Sequence, residues 1–230
     1  MTAPRTPAPR PVFADPGEAA ALAAFLQRLV RWEKAAVVRL QAGGGVLGVF
    51  ARPARFEVLA VRTTRLLGEE ITLDATVSAG ELLEGVTEAD EAVTVPAEVT
   101  GPSWAGLLPP RGGWRPVTRR AGAEVRQAAS AVVTEFRERS EAMPPDERTR
   151  KAYDALADEV WDRPLTGTRL PLRAVHAAQA VGFLQIGPET PVVLHEAGPW
   201  LRLSTPHGSV LVRPQGAPLS PGAGLTVTPV

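Results

Sequence analysis

The chain has 230 residues, of which 44% are hydrophobic and 22% charged, a composition that folds as one large domain or two small ones rather than staying disordered. Its 25 basic and 25 acidic residues cancel, which argues against bulk attraction to nucleic acid or anionic lipid. Cysteine is absent, so disulfide scaffolds, thiolate zinc sites and cysteine nucleophiles are excluded.

The opening MTAPRTPAPRPVF has no apolar run behind its arginines and does not read as a secretory signal. No stretch approaches the roughly 18 apolar residues that span a bilayer, so no membrane is expected and the cytoplasm is the expected location. Residues 1–14 carry four prolines and little apolar mass, and they read as a disordered tail with polyproline character.

Residues 15–100 read as an α/β domain. Asp15-Pro16-Gly17-Glu18 has the order of a capping box, with Asp15 as N-cap and proline at the first helical position. Leu22, Phe25, Leu26 and Leu29 then fall on one helical face, and the helix is predicted to end near Trp32. Residues 35–77 read as an antiparallel meander of about four strands. AAVVRLQ and VLGVFA flank the turn Gly43-Gly44-Gly45, FEVLAVRTTRLL follows Pro53, and in ITLDATV apolar and polar residues alternate with the period of a sheet wet on one face. Ser78 and Glu81 form a second capping box that opens a short helix through Leu82, Leu83 and Val86.

Residues 101–118, with GPSWAGLLPPRGGW, are rich in proline and glycine and read as a connector carrying Trp104 and Trp114. Residues 119–230 read as a helical segment closed by a small antiparallel sheet. Val125, Ala129, Val132 and Phe136 stripe one helix and Tyr153, Leu156 and Val160 the next. Pro144-Pro145 between them predicts a helical hairpin, with Asp146 as the N-cap of its second arm. A third helix is expected from Pro171 to about Phe183, then three short strands over 191–213, and LTVTPV at the end offers one more. The fold class expected is α+β, in two domains.

Charge is sorted along the first half. Residues 1–68 hold ten basic and four acidic side chains, while residues 69–98 hold nine acidic and no basic one. Such patches either neutralise each other within the fold or present a docking surface for a partner of opposite charge. The acidic run matches no calcium loop, because Glu88-Ala89-Asp90-Glu91 lacks alternating oxygen ligands and a central glycine. His176, His195 and His207 have no metal-ligand spacing, and His207 with Ser209 lacks a nucleophile elbow. Neither Gly43–Gly45 nor Gly112-Gly113 fits a phosphate loop. No cofactor, metal or catalytic residue is therefore assigned.

Three helices and a hairpin over residues 121–213, with Arg169 and Arg173 at the start of the third helix, resemble winged-helix DNA-binding domains. That resemblance implies a DNA-binding regulator. The third helix nevertheless offers mostly alanines besides His176 and Gln179, and residues 121–186 hold nine basic against ten acidic side chains. Phosphate attraction would be weak, and nucleic acid is not the expected partner. VVLHEAGPWLRLSTPHGSVLVR is also similar to small SH3-like barrels of bacteria, which implies no particular ligand.

The expected function is a non-catalytic protein-interaction, scaffold or regulatory protein that binds a protein partner or forms a homodimer. The candidate surface is Trp104 and Trp114 with Glu81, Glu84, Glu88, Asp90 and Glu91. The alternatives are the DNA-binding regulator and an enzyme whose site is assembled from scattered residues.

Overall fold

In the computed structural model, which describes residues 8–68 and 70–213, one antiparallel sheet of eight strands carries five α-helices, an α+β architecture. In chain order the N-terminal half comprises α1 (Glu18–Trp32), β1 (Val37–Gly43), β2 (Val46–Ala51), β3 (Leu59–Arg65), β4 (Leu73–Ser78), α2 (Ala79–Glu84) and the short pair β5 (Val86–Thr87) and β6 (Ala92–Val93). The C-terminal half comprises β7 (Arg115–Ala121), α3 (Gly122–Ala142), α4 (Arg150–Asp162), α5 (Leu172–Ala180), β8 (Pro191–Ala197), β9 (Trp200–Thr205) and β10 (Gly208–Val212).

The strand order is β4-β1-β2-β3-β10-β9-β8-β7. Each half contributes a three-strand meander, and the third strands of the two meanders meet at the centre. There Leu59, Ala60 and Val61 pair with Leu211, Val210 and Ser209. The C-terminal strands thus form no separate small sheet and no wing. They complete a sheet begun in the first half.

Strand alternation sends one set of side chains toward the helices and the other away. Leu40, Val49, Ala60, Val77, Leu194, Leu203 and Val210 share one buried cluster with Leu26, Val132 and Val175 of the helices. Each valine or leucine among them contributes about 1.5–3 kcal/mol by leaving water. Across the central seam, Phe25 stacks on Phe183 with ring centroids 5.4 Å apart. Gly208 opens β10 against that ring, where a Cβ would lie 2.5 Å from Phe183 Cζ. Buried Arg62 adds a polar tie beneath α1, donating to Glu18 Oε2 at 2.6 Å and to the carbonyl of His207 at 3.0 Å.

Several local expectations change. Helix α1 starts at Glu18 with Gly17 in the left-handed region (φ 83°), and Asp15 caps nothing. Asp15 instead accepts from Arg65 at 2.7 and 3.1 Å. The cap comes from Glu91, whose carboxylate accepts from the backbone N–H of Gly17 at 2.6 Å and of Ala19 at 2.9 Å. The α4 N-cap is Thr149, which accepts from Ala152 N, whereas Asp146 lies in a 3-10 turn. Of the proline-rich leader, residues 1–7 lie outside the described residues, as does LTVTPV. Residues 11–13 are held rather than free: Phe13 is 2% exposed, and its N–H donates to Glu91 O at 2.7 Å. One buried ring fastens a segment whose composition is otherwise that of a tail. Residues 115–118 of the expected connector belong to edge strand β7.

Candidate protein-interaction face

The side of the sheet without helices carries its own apolar cluster. Leu59 and Val61 of β3 and Leu211 of β10 are buried there, with Phe50, Trp104, Trp114 and Trp200 half-buried around them. The three leucine and valine positions alternate with Ala60 and Val210 of the main core, which is why they point to the opposite face. Without the tryptophans, the seam between the two halves would present bare apolar surface to water.

The cover is an arm over residues 101–114. Arg39 of β1 ties it down by donating to the carbonyl of Ala105 at 2.5 Å while also gripping Asp74 through two bonds of 2.8 and 2.9 Å. Trp104 sits in a 3-10 turn, Ser103–Gly106. Trp114 closes the far end, its indole N–H donating to Pro110 O at 3.0 Å. The arm thus folds back on the sheet, yet its tip stays open to solvent, with Leu107 71% exposed.

Between arm and sheet lies a groove of about 770 Å3, whose apolar wall includes Phe50, Val61, Leu73, Leu108, Trp114 and Leu211. Asp74, Arg111 and Arg202 supply its charge. Asp74 is held below the usual carboxylate range, chiefly by its hydrogen bonds from Arg39. A smaller cavity of about 230 Å3 is lined by Trp104, Leu107 and Trp200.

Arg202 of β9 is half-buried, and like the exposed Arg119 of β7 it has no carboxylate partner among the described residues. It stacks its guanidinium 5.8 Å from the Trp114 ring centroid and donates from Nε to Ser209 Oγ at 2.9 Å. Ser209 Oγ lies 3.4 Å from Ser204 Oγ, which lies 3.3 Å from His195 Nδ1. Burial pulls the Arg202 pKa down, and burial together with the Arg202 charge does the same to His195.

The acidic residues do not join the tryptophans. Helix α2 packs its Leu82 into the main core, on the opposite face of the sheet. Glu81, Glu84, Glu88 and Asp90 are exposed, and Asp90 pairs with Arg10 at 2.5 Å. Glu91 caps α1. The charge-sorted segments therefore meet in part within the fold, through Arg10–Asp90, Arg39–Asp74 and the Glu91 cap. Glu69 lies outside the described residues.

None of the three histidines is hydrogen-bonded to a carboxylate among the described residues. His176 is sandwiched between Trp161 and Phe56, with centroids at 4.8 and 5.2 Å, and burial lowers its pKa. His207 Nε2 lies 3.0 Å from Gln185 O on the surface. No group of three or more His, Asp or Glu side chains is placed to hold a metal ion among the described residues. No described helix is long and apolar enough to cross a membrane. Sequence reasoning found Trp104 and Trp114 through their composition-biased segment. It missed Arg202, Phe50 and Leu211: alternation within β9 puts Arg202 on one face with Trp200, but Phe50 and Leu211 join them only through strand pairing.

Two family models match the chain in succession. Both are described as domains of unknown function, DUF8010 over residues 7–106 and DUF8185 over residues 109–217. No curated protein matches. Among solved structures, the chain is similar to a protein of Eubacterium rectale assigned as a DNA polymerase III beta subunit. The identity is 8% and the TM-score 0.52, covering 89% of this chain and 64% of that one. It is also similar to the DnaN sliding clamp of Bartonella birtlesii, solved bound to griselimycin, at 12% identity and a TM-score of 0.51, over 92% and 67% of the two chains. For the Pseudomonas aeruginosa sliding clamp solved with a ligand, the values are 11% and 0.46, over 87% and 64%. At these identities the likeness is one of fold. The chain spans 64% of the Pseudomonas aeruginosa clamp, just under two-thirds of its length.

Proposed function

We propose that this chain is a cytoplasmic, non-catalytic scaffold that holds a protein partner, or a second copy of itself, on the helix-free face of its sheet. The observation that carries the reading is the Trp104–Trp114 arm over the β3–β10 seam, with its half-buried aromatics and open groove. Large aromatics around a partly closed apolar pocket supply most of the energy in protein interfaces. The Eubacterium rectale and Bartonella birtlesii fold relatives are both described as a beta subunit of DNA polymerase III, one of them as a sliding clamp, and a fold used as one component of a larger assembly supports a scaffold reading. We further infer that residues 15–100 and 119–230 are two units joined by residues 101–118, with family-model boundaries at 106 and 109 in support. Glu81, Glu84, Glu88 and Asp90 would then form a secondary, exposed patch on the other side of the molecule.

Nucleic acid is not the partner in this reading. The helical segment 121–186 has slightly more acidic than basic residues, and Arg139, Arg163 and Arg173 are spent on Glu159, Glu135, Glu57 and Asp162. Arg137 and Lys151 make no ion pair among the described residues, but with nine basic against ten acidic side chains the segment as a whole attracts phosphate only weakly. Photocrosslinking in cells tests the proposal. A benzoylphenylalanine at Leu107 should yield one dominant protein adduct, lost on Trp104→Ala, while the same probe at exposed Ser130 of α3 yields none. DNA adducts, or equal protein adducts from both positions, would contradict it.

A further inference from the structure

The groove under the arm has a chemistry more specific than apolar cover. Its single carboxylate, Asp74, is already neutralised by two hydrogen bonds from Arg39. Arg202 and Arg111 remain, and neither has a carboxylate partner among the described residues. Arg111 is exposed; among the described residues its side chain hydrogen-bonds Gln41 Oε1 at 3.4 Å, and its charge also helps hold Asp74 ionised. Arg202 is half-buried, and a guanidinium removed from water without a counter-ion is an expense that a bound anion would relieve. Ser209 fixes its Nε, which leaves its terminal N–H groups in the fork that suits a carboxylate.

The remaining wall is aliphatic and aromatic, as in Val61, Leu73, Leu108 and Leu211. An occupant must therefore carry one negative group beside apolar side chains. Resting on the reading that a partner binds this face, we propose that the groove receives an extended peptide segment of a partner protein in which a glutamate or aspartate stands next to aliphatic residues, its carboxylate taken by Arg202 with Arg111 alongside. A single strand of nucleic acid fits the wall less well. One face of the Trp114 ring is covered by Arg202 and the indole packs on the seam cluster, which makes it a poor platform for base stacking.

Nuclear magnetic resonance titration of the full 15N-labelled chain tests this, read at the indole N–H of Trp114 and the Nε–H of Arg202. The probes are the peptides acetyl-GSEIISG-amide, acetyl-GSQIISG-amide and acetyl-GSESSSG-amide, and the oligonucleotide dT12. The Glu-Ile peptide should bind about tenfold more tightly than the Gln-Ile and Glu-Ser peptides, which each lack one of the two features. Arg202→Gln should bring the Glu-Ile and Gln-Ile affinities within about twofold of each other. Arg111→Gln, at an exposed position, should narrow the gap by a smaller factor and serves if the first variant folds poorly. Equal affinity of the Glu-Ile and Gln-Ile peptides, both shifting Trp114, overturns the acidic preference and leaves the face as a protein-binding surface. A preference that survives Arg202→Gln, or dT12 moving the same resonances more strongly, also overturns it. If no peptide shifts either resonance the proposal fails, and the Leu107 crosslinks decide separately whether the broader reading falls with it.

Discussion

Glu91 shows how one side chain does work that its neighbours in sequence do not reveal. It holds a left-handed backbone conformation (φ 45°) and reaches from beside β6 to the start of α1, where its carboxylate takes two orphan N–H groups. Those donors favour the charged form and hold its pKa below the ordinary range. A depressed carboxylate pKa gives stability that is present above the unfolded value and is lost as pH falls through the folded value. Glu91→Gln should therefore lower the melting temperature by a few degrees at pH 7 and by progressively less below pH 4, as thermal scans in matched buffers would show. His176 works in the opposite sense on the charge. Its ring is kept neutral between Trp161 and Phe56, so the fold loses stability as pH drops from about 6.5 toward the lowered folded value. His176→Phe keeps the stack and has no proton to take up. Its melting temperature should change less than that of the parent between pH 7 and pH 5, and an unchanged slope would show that His176 is not the titrating group.

At the scale of elements, strong local patterns were readable and long-range partners were not. The alternation in LDATVS and the helical stripe from Leu22 to Leu29 give the elements they predict, and the Ser78 cap opens its short helix, which ends at Glu84 and leaves Val86 to β5. Strand β7 was hidden because RPVTRRA is an edge: it has proline, three arginines and a register shift near Pro116, with no apolar face to mark it. The Glu91 cap was hidden because its partners are more than 70 residues away, and the nearby Asp15 has the better local signature. The tryptophans of the arm stood out by composition, yet their place over the β3–β10 seam depends on a strand pairing that no window of sequence contains. The arm itself is held by few contacts, chiefly Trp104, Trp114 and the Arg39 bond to Ala105. Trp104→Ala should cost about 1–3 kcal/mol of stability, less than a fully buried tryptophan would. Trypsin cleavage after Arg111 should quicken several-fold in the native protein, whereas an unchanged cleavage rate would mean that Trp114 alone anchors the arm.

For the whole molecule, the consequence of the central pairing is a shared core. The helix-side cluster runs from Phe13 and Leu22 through Ala60 and Val210 to Val175 and Leu203 without a break. Calorimetry should accordingly show one transition whose van't Hoff and calorimetric enthalpies agree. Two resolved transitions would mean that the units unfold independently despite the continuous sheet. The same pairing creates the helix-free face on which the functional reading rests, since Leu59, Val61 and Leu211 meet only when β3 and β10 do. Hydrogen–deuterium exchange, measured on the chain alone and in its complex isolated from cells, tests that reading most directly. New protection is expected over residues 103–114 and along β2, β3 and β9. Protection confined to the outer surfaces of α3 and α4, with those segments unchanged, would contradict it.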